Sequence, residues 1–171
     1  MEVRKSIAAD YSRLQALYPR AFPSEDLLPL VNALLEQTPG ILSLVAVEDM
    51  GVIGHVIFTL CHVEGDAHTV ALLGPLAVLP ERQQQGTGSA LVQAGFDFLK
   101  RASVSRVFVL GDPAYYRRFG FVPDFKVTPP YPIPKEWIGA WQSLGLNPAA
   151  AAPIGKLRLP EPWLQPPLWT P

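Results

Sequence analysis

Leu72-Leu73-Gly74-Pro75-Leu76-Ala77-Val78-Leu79-Pro80-Glu81-Arg82-Gln83-Gln84-Gln85-Gly86-Thr87-Gly88-Ser89-Ala90-Leu91 decides the reading of this chain. It runs as an apolar strand, a polar turn, a glycine-containing loop and the start of a helix. That order builds an anion site. Backbone N–H groups in a helix's first turn lack intrahelical partners, and the helix dipole adds positive charge there. Gly86 and Gly88 carry no Cβ, so a phosphate can approach their backbone closely. Two familiar phosphate loops are excluded. A nucleoside-triphosphate loop needs Gly-Lys-Ser/Thr, and no such Lys is present; a dinucleotide fingerprint needs a third glycine where Leu91 stands.

Working outward, Gly74-Pro75 interrupts an otherwise apolar strand. Proline cannot donate to a sheet ladder. The run is too apolar for an exposed edge, so a bulge or a local parting of two strands is expected. Downstream, Leu91, Val92, Gly95, Phe98 and Leu99 line one helix face, while Gln93, Asp97, Lys100 and Arg101 line another. Arg106-Val107-Phe108-Val109-Leu110 then reads as a buried strand parallel to the one before the loop. Asp112-Pro113 opens a further helix, with Asp as N-cap and Pro at its first position. Tyr116 lies about one turn in, and Gly120 supplies a left-handed cap.

Gln83-Gln84-Gln85-Gly86-Thr87-Gly88, following Leu76-Ala77-Val78-Leu79-Pro80-Glu81, resembles the acyl-CoA signature of the GCN5-related N-acetyltransferases (GNAT). Tyr116-Arg117-Arg118-Phe119-Gly120-Phe121 resembles the same family's Tyr-x-x-x-Gly-Phe. Leu110-Gly111-Asp112-Pro113-Ala114-Tyr115-Tyr116 is similar to one bacterial branch of predicted acetyltransferases. The matches cover residues 72 to 123 in the family's order. The wider family often has an Asn near the strand end and a longer approach to the Tyr, and this chain departs from both.

The resemblance implies an α/β fold of GNAT type. Its mixed, mostly antiparallel central sheet has splayed parallel central strands and helices on both faces. It implies acetyl-CoA as acyl donor and a small-molecule or peptide amine as acceptor. Pantetheine would run along the backbone of Leu76, Ala77 and Val78. Arg82, Gln83, Gln84, Gln85, Gly86, Thr87, Gly88 and Ser89 would surround the phosphates. The Val78 N–H would stabilise the oxyanion, and Tyr116 would bind the cofactor and serve as general acid to the thiolate. A phenol is protonated at neutral pH and suits that role. In the family the first two helices border the acceptor site. No base is assigned: Ala71 to Leu79 carries no carboxylate, and Glu48, Glu64, His62 and His68 stand level as candidates through water.

Composition sets outer bounds. The 171 residues suit a single domain over 1–171, and 49% hydrophobic content argues for a packed core. A net charge of −1 offers no footprint for nucleic acid. Cys61 is the one cysteine, so no disulfide within the chain and no Cys-based zinc site is expected. The absence of an apolar signal core or a long apolar run points to a cytoplasmic protein with no membrane partner, monomeric or homodimeric, with no metal.

The remaining segments give further expectations. Val3 to Ile7 predicts a strand, and Asp10 an N-cap over an apolar face of Leu14, Leu17 and Tyr18 that Pro19 and Pro23 interrupt. Ser24 predicts a second N-cap before Leu27, Leu28, Val31, Leu34 and Leu35. Ile41 to Val47 and Val52 to Val63 predict a hairpin around Asp49-Met50-Gly51. Residues His68 to Leu73 follow a turn at Glu64 to Ala67. His55 in such a strand reads as structural. From Val122 onward lie 12 of the 19 prolines and all 4 tryptophans. Trp137, Trp141, Trp163 and Trp169 need burial, so residues 123–171 read as an ordered extension, with a short helix over 134–141 and a closing strand over 155–159. Two rival functions stand beside transfer: a noncatalytic acyl-CoA sensor, and an interaction protein that works through the Trp-rich tail.

Overall fold

The computed structural model describes residues 1–49 and 51–170. Met50, within the expected Asp49-Met50-Gly51 turn, lies outside the described residues. The chain forms a mixed α/β fold in two compact units. The first joins Met1–Phe58 with Gly74–Phe98, and the second joins Thr59–Leu73 with the chain from Leu99 onward.

The first unit starts with β1 (Glu2–Lys5), α1 (Tyr11–Ala21), α2 (Leu28–Leu35) and β2 (Ile41–Glu48). β1 pairs antiparallel with β2, Val3 opposite Ala46. β3 (Gly51–Val63), β4 (Thr69–Val78) and α3 (Thr87–Arg101) follow and each has residues in both units. The strands are neighbours in the order β1-β2-β3-β4. The connections between β2 and β3, and between β3 and β4, are far too short for a parallel crossover, so both are hairpins. Leu14, Val31, Leu34, Leu44, Val56 and Leu91 are fully buried, as their 3.6- and 2-residue spacings require.

Several expectations need correction here. Asp10 stands at the N-cap of α1 as expected, but its side chain makes no bond to that helix. Its carboxylate instead takes the Ile7 N–H at 2.8 Å and a bidentate Arg4 guanidinium at 2.8 and 3.0 Å. The carboxylate thus turns back to the residues before α1 rather than forward into its first turn. The guanidinium, with the Ile7 N–H, holds that carboxyl below its ordinary value. Pro19 lies inside α1 rather than ending it, and the helix stops within the following turn. Ser24 is too early for α2, which has Leu27 at its N-cap and Pro29 in its first turn. The first strand is Glu2–Lys5, not Val3 to Ile7. On α3 the deeply buried ring is Phe96, while Phe98 is half-buried with the Lys5 ammonium 5.2 Å from its centroid.

The second unit contains β5 (Arg106–Leu110), α4 (Pro113–Tyr116), β6 (Val122–Pro123), β7 (Val127–Thr128), β8 (Trp141–Gly145) and β9 (Gly155–Arg158). β4 and β5 pair in parallel at Ala71–Val107 and Leu72–Phe108. The ladder covers only the early part of β4, short of Gly74-Pro75, which fits the expected parting of strands. β8 pairs antiparallel with β5 and with β6, and β9 antiparallel with β3 and parallel with β7. Lys135–Ala140 is a 3-10 turn, and Trp141 belongs to β8, so the two tryptophans do not share a helix face.

Trp141, Trp163 and Trp169 are buried and each of their indole N–H groups finds an acceptor, whereas Trp137, on the 3-10 turn, is only half-buried. The three buried indoles donate to Val127 O at 2.8 Å, Thr59 Oγ1 at 3.0 Å and Trp163 O at 3.0 Å. Phe108 stacks on Trp141 at 5.5 Å between centroids, and Trp169 meets Trp141 edge-on at 5.9 Å. Large rings with satisfied N–H groups explain why a proline-rich segment is ordered.

Candidate functional site

The loop after β4 is built from the strand upward. The Leu79 N–H donates to Ile53 O at 3.0 Å. Backbone groups alternate along a strand, so Val78 turns its N–H and carbonyl to the opposite edge of β4. The Gln83 side-chain amide donates to that Val78 carbonyl at 3.2 Å, and Gln85 Nε2 donates to Glu81 O at 3.1 Å. These bonds fold the glutamines back over the strand end.

Gln84 adopts φ +61° and Gly86 φ +87°. Two left-handed residues in three reverse the chain into α3, whose first hydrogen bond runs from Ala90 N to Gly86 O at 2.9 Å. Among the described residues, the N–H groups of Gln84, Gln85, Gly86, Thr87, Gly88 and Ser89 have no protein acceptor. A Cβ built on Gly86 meets nothing within 4 Å, so the loop surface is open. Thr87 is buried, and Gly54 of β3 explains how: a Cβ there would meet Leu91, Thr87 and Ala77 at 3.0 to 3.2 Å. Sequence reading missed Gly54. Its signal was a glycine inside an apolar strand.

Arg82 does not face this loop as an unpaired cation. It pairs with Glu48 at 2.6 Å. Glu81 accepts both contacts of Arg20 at 2.7 and 2.8 Å, which fixes the end of α1 to the turn that follows β4. What the loop offers an anion is therefore main-chain donors and the dipole of α3.

Tyr116 stands in the second unit and is held by its own neighbourhood. Asp112 accepts from the Ala114 N–H at 2.9 Å, Pro113 occupies the first helical position, and Gly120 closes the turn at φ +99°. The Tyr116 ring lies directly on Gly111, where any Cβ would overlap it. Phe121 meets its face at 5.7 Å and Tyr115 at 5.0 Å, both edge-on. Burial, with Tyr115 adding to it, raises the phenol well above its ordinary value, so it stays protonated. Among the described residues its hydroxyl has no hydrogen-bond partner, and it is not sealed from solvent.

The base candidates are mostly committed elsewhere. Glu48 holds Arg82, Glu64 holds Arg158 at 2.6 Å, and His68 Nδ1 lies 2.9 Å from Asp66. His62 is exposed on β3 opposite Arg158. His55 is the buried one. Its Nδ1 lies 2.7 Å from the Tyr18 hydroxyl and its Nε2 2.8 Å from Ser43 Oγ, which lies 2.7 Å from Ser6 Oγ. Burial pushes His55 down to about 3, against a smaller upward pull from Asp10. Tyr18 also lines a cavity of about 320 Å³ between α1 and α2, together with Phe22, Glu25, Asp26, Leu27 and Leu28. No local pattern announces this file, because its members are distant in sequence.

Among the described residues no three His, Cys, Asp or Glu side chains gather as a metal site, and no helix is long and apolar enough to cross a membrane.

Residues 10–121 match the model of the acetyltransferase (GNAT) family. The chain is 35% identical over 161 residues to the uncharacterized N-acetyltransferase YjhQ of Escherichia coli, covering 90% of this chain and 89% of that one. Among solved structures it is similar to the GNAT family N-acetyltransferase YhbS of Escherichia coli in complex with CoA. That likeness has a TM-score of 0.87 and 32% identity over 96% of this chain and 92% of the other. A GNAT family acetyltransferase from Brucella melitensis in complex with acetyl-CoA gives a TM-score of 0.76 and 30% identity over 94% and 96%.

Proposed function

The chain belongs to the GNAT acetyltransferase family, and from that premise we propose that it transfers an acetyl group from acetyl-CoA to a primary amine by direct attack, with Tyr116 as general acid. Acetyl-CoA, when bound, supplies the activated thioester and the thiol leaving group. The observation that carries the reading is the set of unpartnered N–H groups from Gln84 to Ser89 at the head of α3, with the surface open at Gly86. Such donors suit a pyrophosphate.

Val78 offers its N–H at the β4 edge not used by β3. A fixed donor aimed at a developing oxyanion lowers the barrier without reorganisation. Tyr116 keeps its proton at neutral pH and donates it as the carbon–sulfur bond breaks. The amine that attacks loses one proton, so the nitrogen's proton and the thiol's new proton balance. The acceptor lies in the cavity between α1 and α2, where Tyr18 and Phe22 stack at 6.1 Å and Glu25 and Asp26 add negative charge.

Thermal-shift titration tests the reading first: acetyl-CoA raises the melting temperature. Thiol release across an amine panel then separates transfer from mere binding. Tyr116→Phe lowers kcat about a hundredfold while leaving the acetyl-CoA shift in place. An undiminished rate removes Tyr116 from the mechanism.

A further inference from the structure

The cavity between α1 and α2 poses a chemical problem. Glu25 and Asp26 on its wall favour an amine in its charged form, and an ammonium cannot attack a thioester. Its additional proton must leave. β4 carries no carboxylate from Thr69 to Val78, and Glu48 and Glu81 both hold arginines.

We infer that Tyr18, His55, Ser43 and Ser6 form a proton exit from the acceptor cavity, with Tyr18 at its inner end and Ser6 at its outer end. The inference rests on the acetyl-transfer reading. Each step of the file is a hydrogen bond of 2.7 or 2.8 Å. The inner end lines the acceptor cavity. The outer end, Ser6 and Ser43, lines a second cavity of about 310 Å³ with Lys5, Tyr11 and Thr38. The file thus connects two openings rather than ending in the core.

The proton balance closes. The ammonium N–H bond breaks and its proton goes to Tyr18 Oη; the Tyr18 proton passes to His55 Nδ1. His55 releases its Nε2 proton to Ser43 Oγ; the Ser6 hydroxyl, which donates to Ser43 at rest, turns its proton to water, and Ser43 passes its own to Ser6 Oγ as Ser6 gives one to water. One proton leaves the amine and one enters solvent, while the file keeps no charge and His55 changes tautomer. Concerted transfer is required, because burial disfavours both the tyrosinate and the imidazolium. Asp10 is the charged group whose field reaches His55, and Arg4 neutralises it. Tyr18 is the candidate catalytic residue; His55, Ser43 and Ser6 act through it.

Ser6→Ala and Ser43→Ala break the exit without touching the acceptor cavity. Acetyl transfer to phenethylamine and benzylamine is followed from neutral pH to beyond the amine pKa, about 10. At neutral pH both variants lose about a hundredfold in kcat, with KM for the amine and the acetyl-CoA thermal shift unchanged. The loss disappears at alkaline pH, where the amine arrives neutral, and Ser6→Thr restores the rate at neutral pH. In histidine-labelled protein, the nitrogen chemical shifts of His55 report a fixed tautomer in Ser43→Ala. A rate deficit that persists at alkaline pH, or none at any pH, overturns the exit. A wild-type protein that binds acetyl-CoA yet releases no thiol with any amine overturns the transfer reading, and the exit with it.

Discussion

The loop from Gln83 to Ser89 and the file from Ser6 to Tyr18 lie in the same unit and are built on opposite rules. The loop is exposed from Gln83 to Gly86, works through its main chain, and leaves six successive N–H groups without protein partners. The file centres on buried side chains, and His55 has both nitrogens within hydrogen-bond distance of a hydroxyl. Unmet donors at a surface cost little, because water serves them until a ligand does. Unmet donors in a core cost about 1–3 kcal/mol each, so the core completes its own set.

Acid should separate the two regions most strongly. His55 is held at about 3, below its ordinary 6.5, because burial penalises the charged form. The unfolded chain therefore binds a proton that the folded chain refuses. Stability is full above about pH 6.5 and falls by about 1.4 kcal/mol per unit as pH drops towards 3. Asp10, held below its ordinary carboxylate value by Arg4, adds to the loss at the acid end of that range. Chemical denaturation across pH measures the slope, and His55→Gln flattens its upper part. A wild-type slope that remains in this variant would place the acid sensitivity elsewhere.

The two ends of α3 offer a finer comparison. A Cβ at Gly95 overlaps the Phe58 ring, so Gly95→Ala lowers stability by about 1–3 kcal/mol. The acetyl-CoA thermal shift survives it. A Cβ at Gly86 meets nothing, yet φ is +87° there. Gly86→Ala costs about 1 kcal/mol through the left-handed backbone alone and reduces the acetyl-CoA shift. If Gly95→Ala damages binding more than Gly86→Ala, the division between packed and open halves of this helix fails.

The same contrast explains what could be read from the residues in order. The loop, Asp112-Pro113 and Gly120 were legible because each depends on neighbours within a few positions, and the parallel β4–β5 pair because a strand–helix–strand order implies it. The need to bury tryptophans was legible too, and it held for Trp141, Trp163 and Trp169 but not for the half-buried Trp137. The Asp10 carboxylate escaped the reading because its partner Arg4 lies six residues back, before the helix. Trp141 escaped because the β5 ladder, more than 30 residues upstream, drew it into a strand. Arg82 read as a cation beside the phosphates, and its pairing with Glu48 was not visible from neighbouring residues. His55 read as structural, since nothing adjacent in sequence revealed that Tyr18, Ser43 and Ser6 would join it. Gly111 was visible within its motif, but only the fold shows that its hydrogen seats the Tyr116 ring.

Trp169 has a consequence for biosynthesis. The first unit uses no residue beyond Phe98, so it has all its parts while the rest of the chain is still being translated. The second unit must wait. Its indole cluster lacks one member until Trp169 emerges, near the end of the chain. Until then, Thr59–Leu73 has already left the ribosome without its full complement of partners, and the nascent protein is most vulnerable to mispairing during that interval.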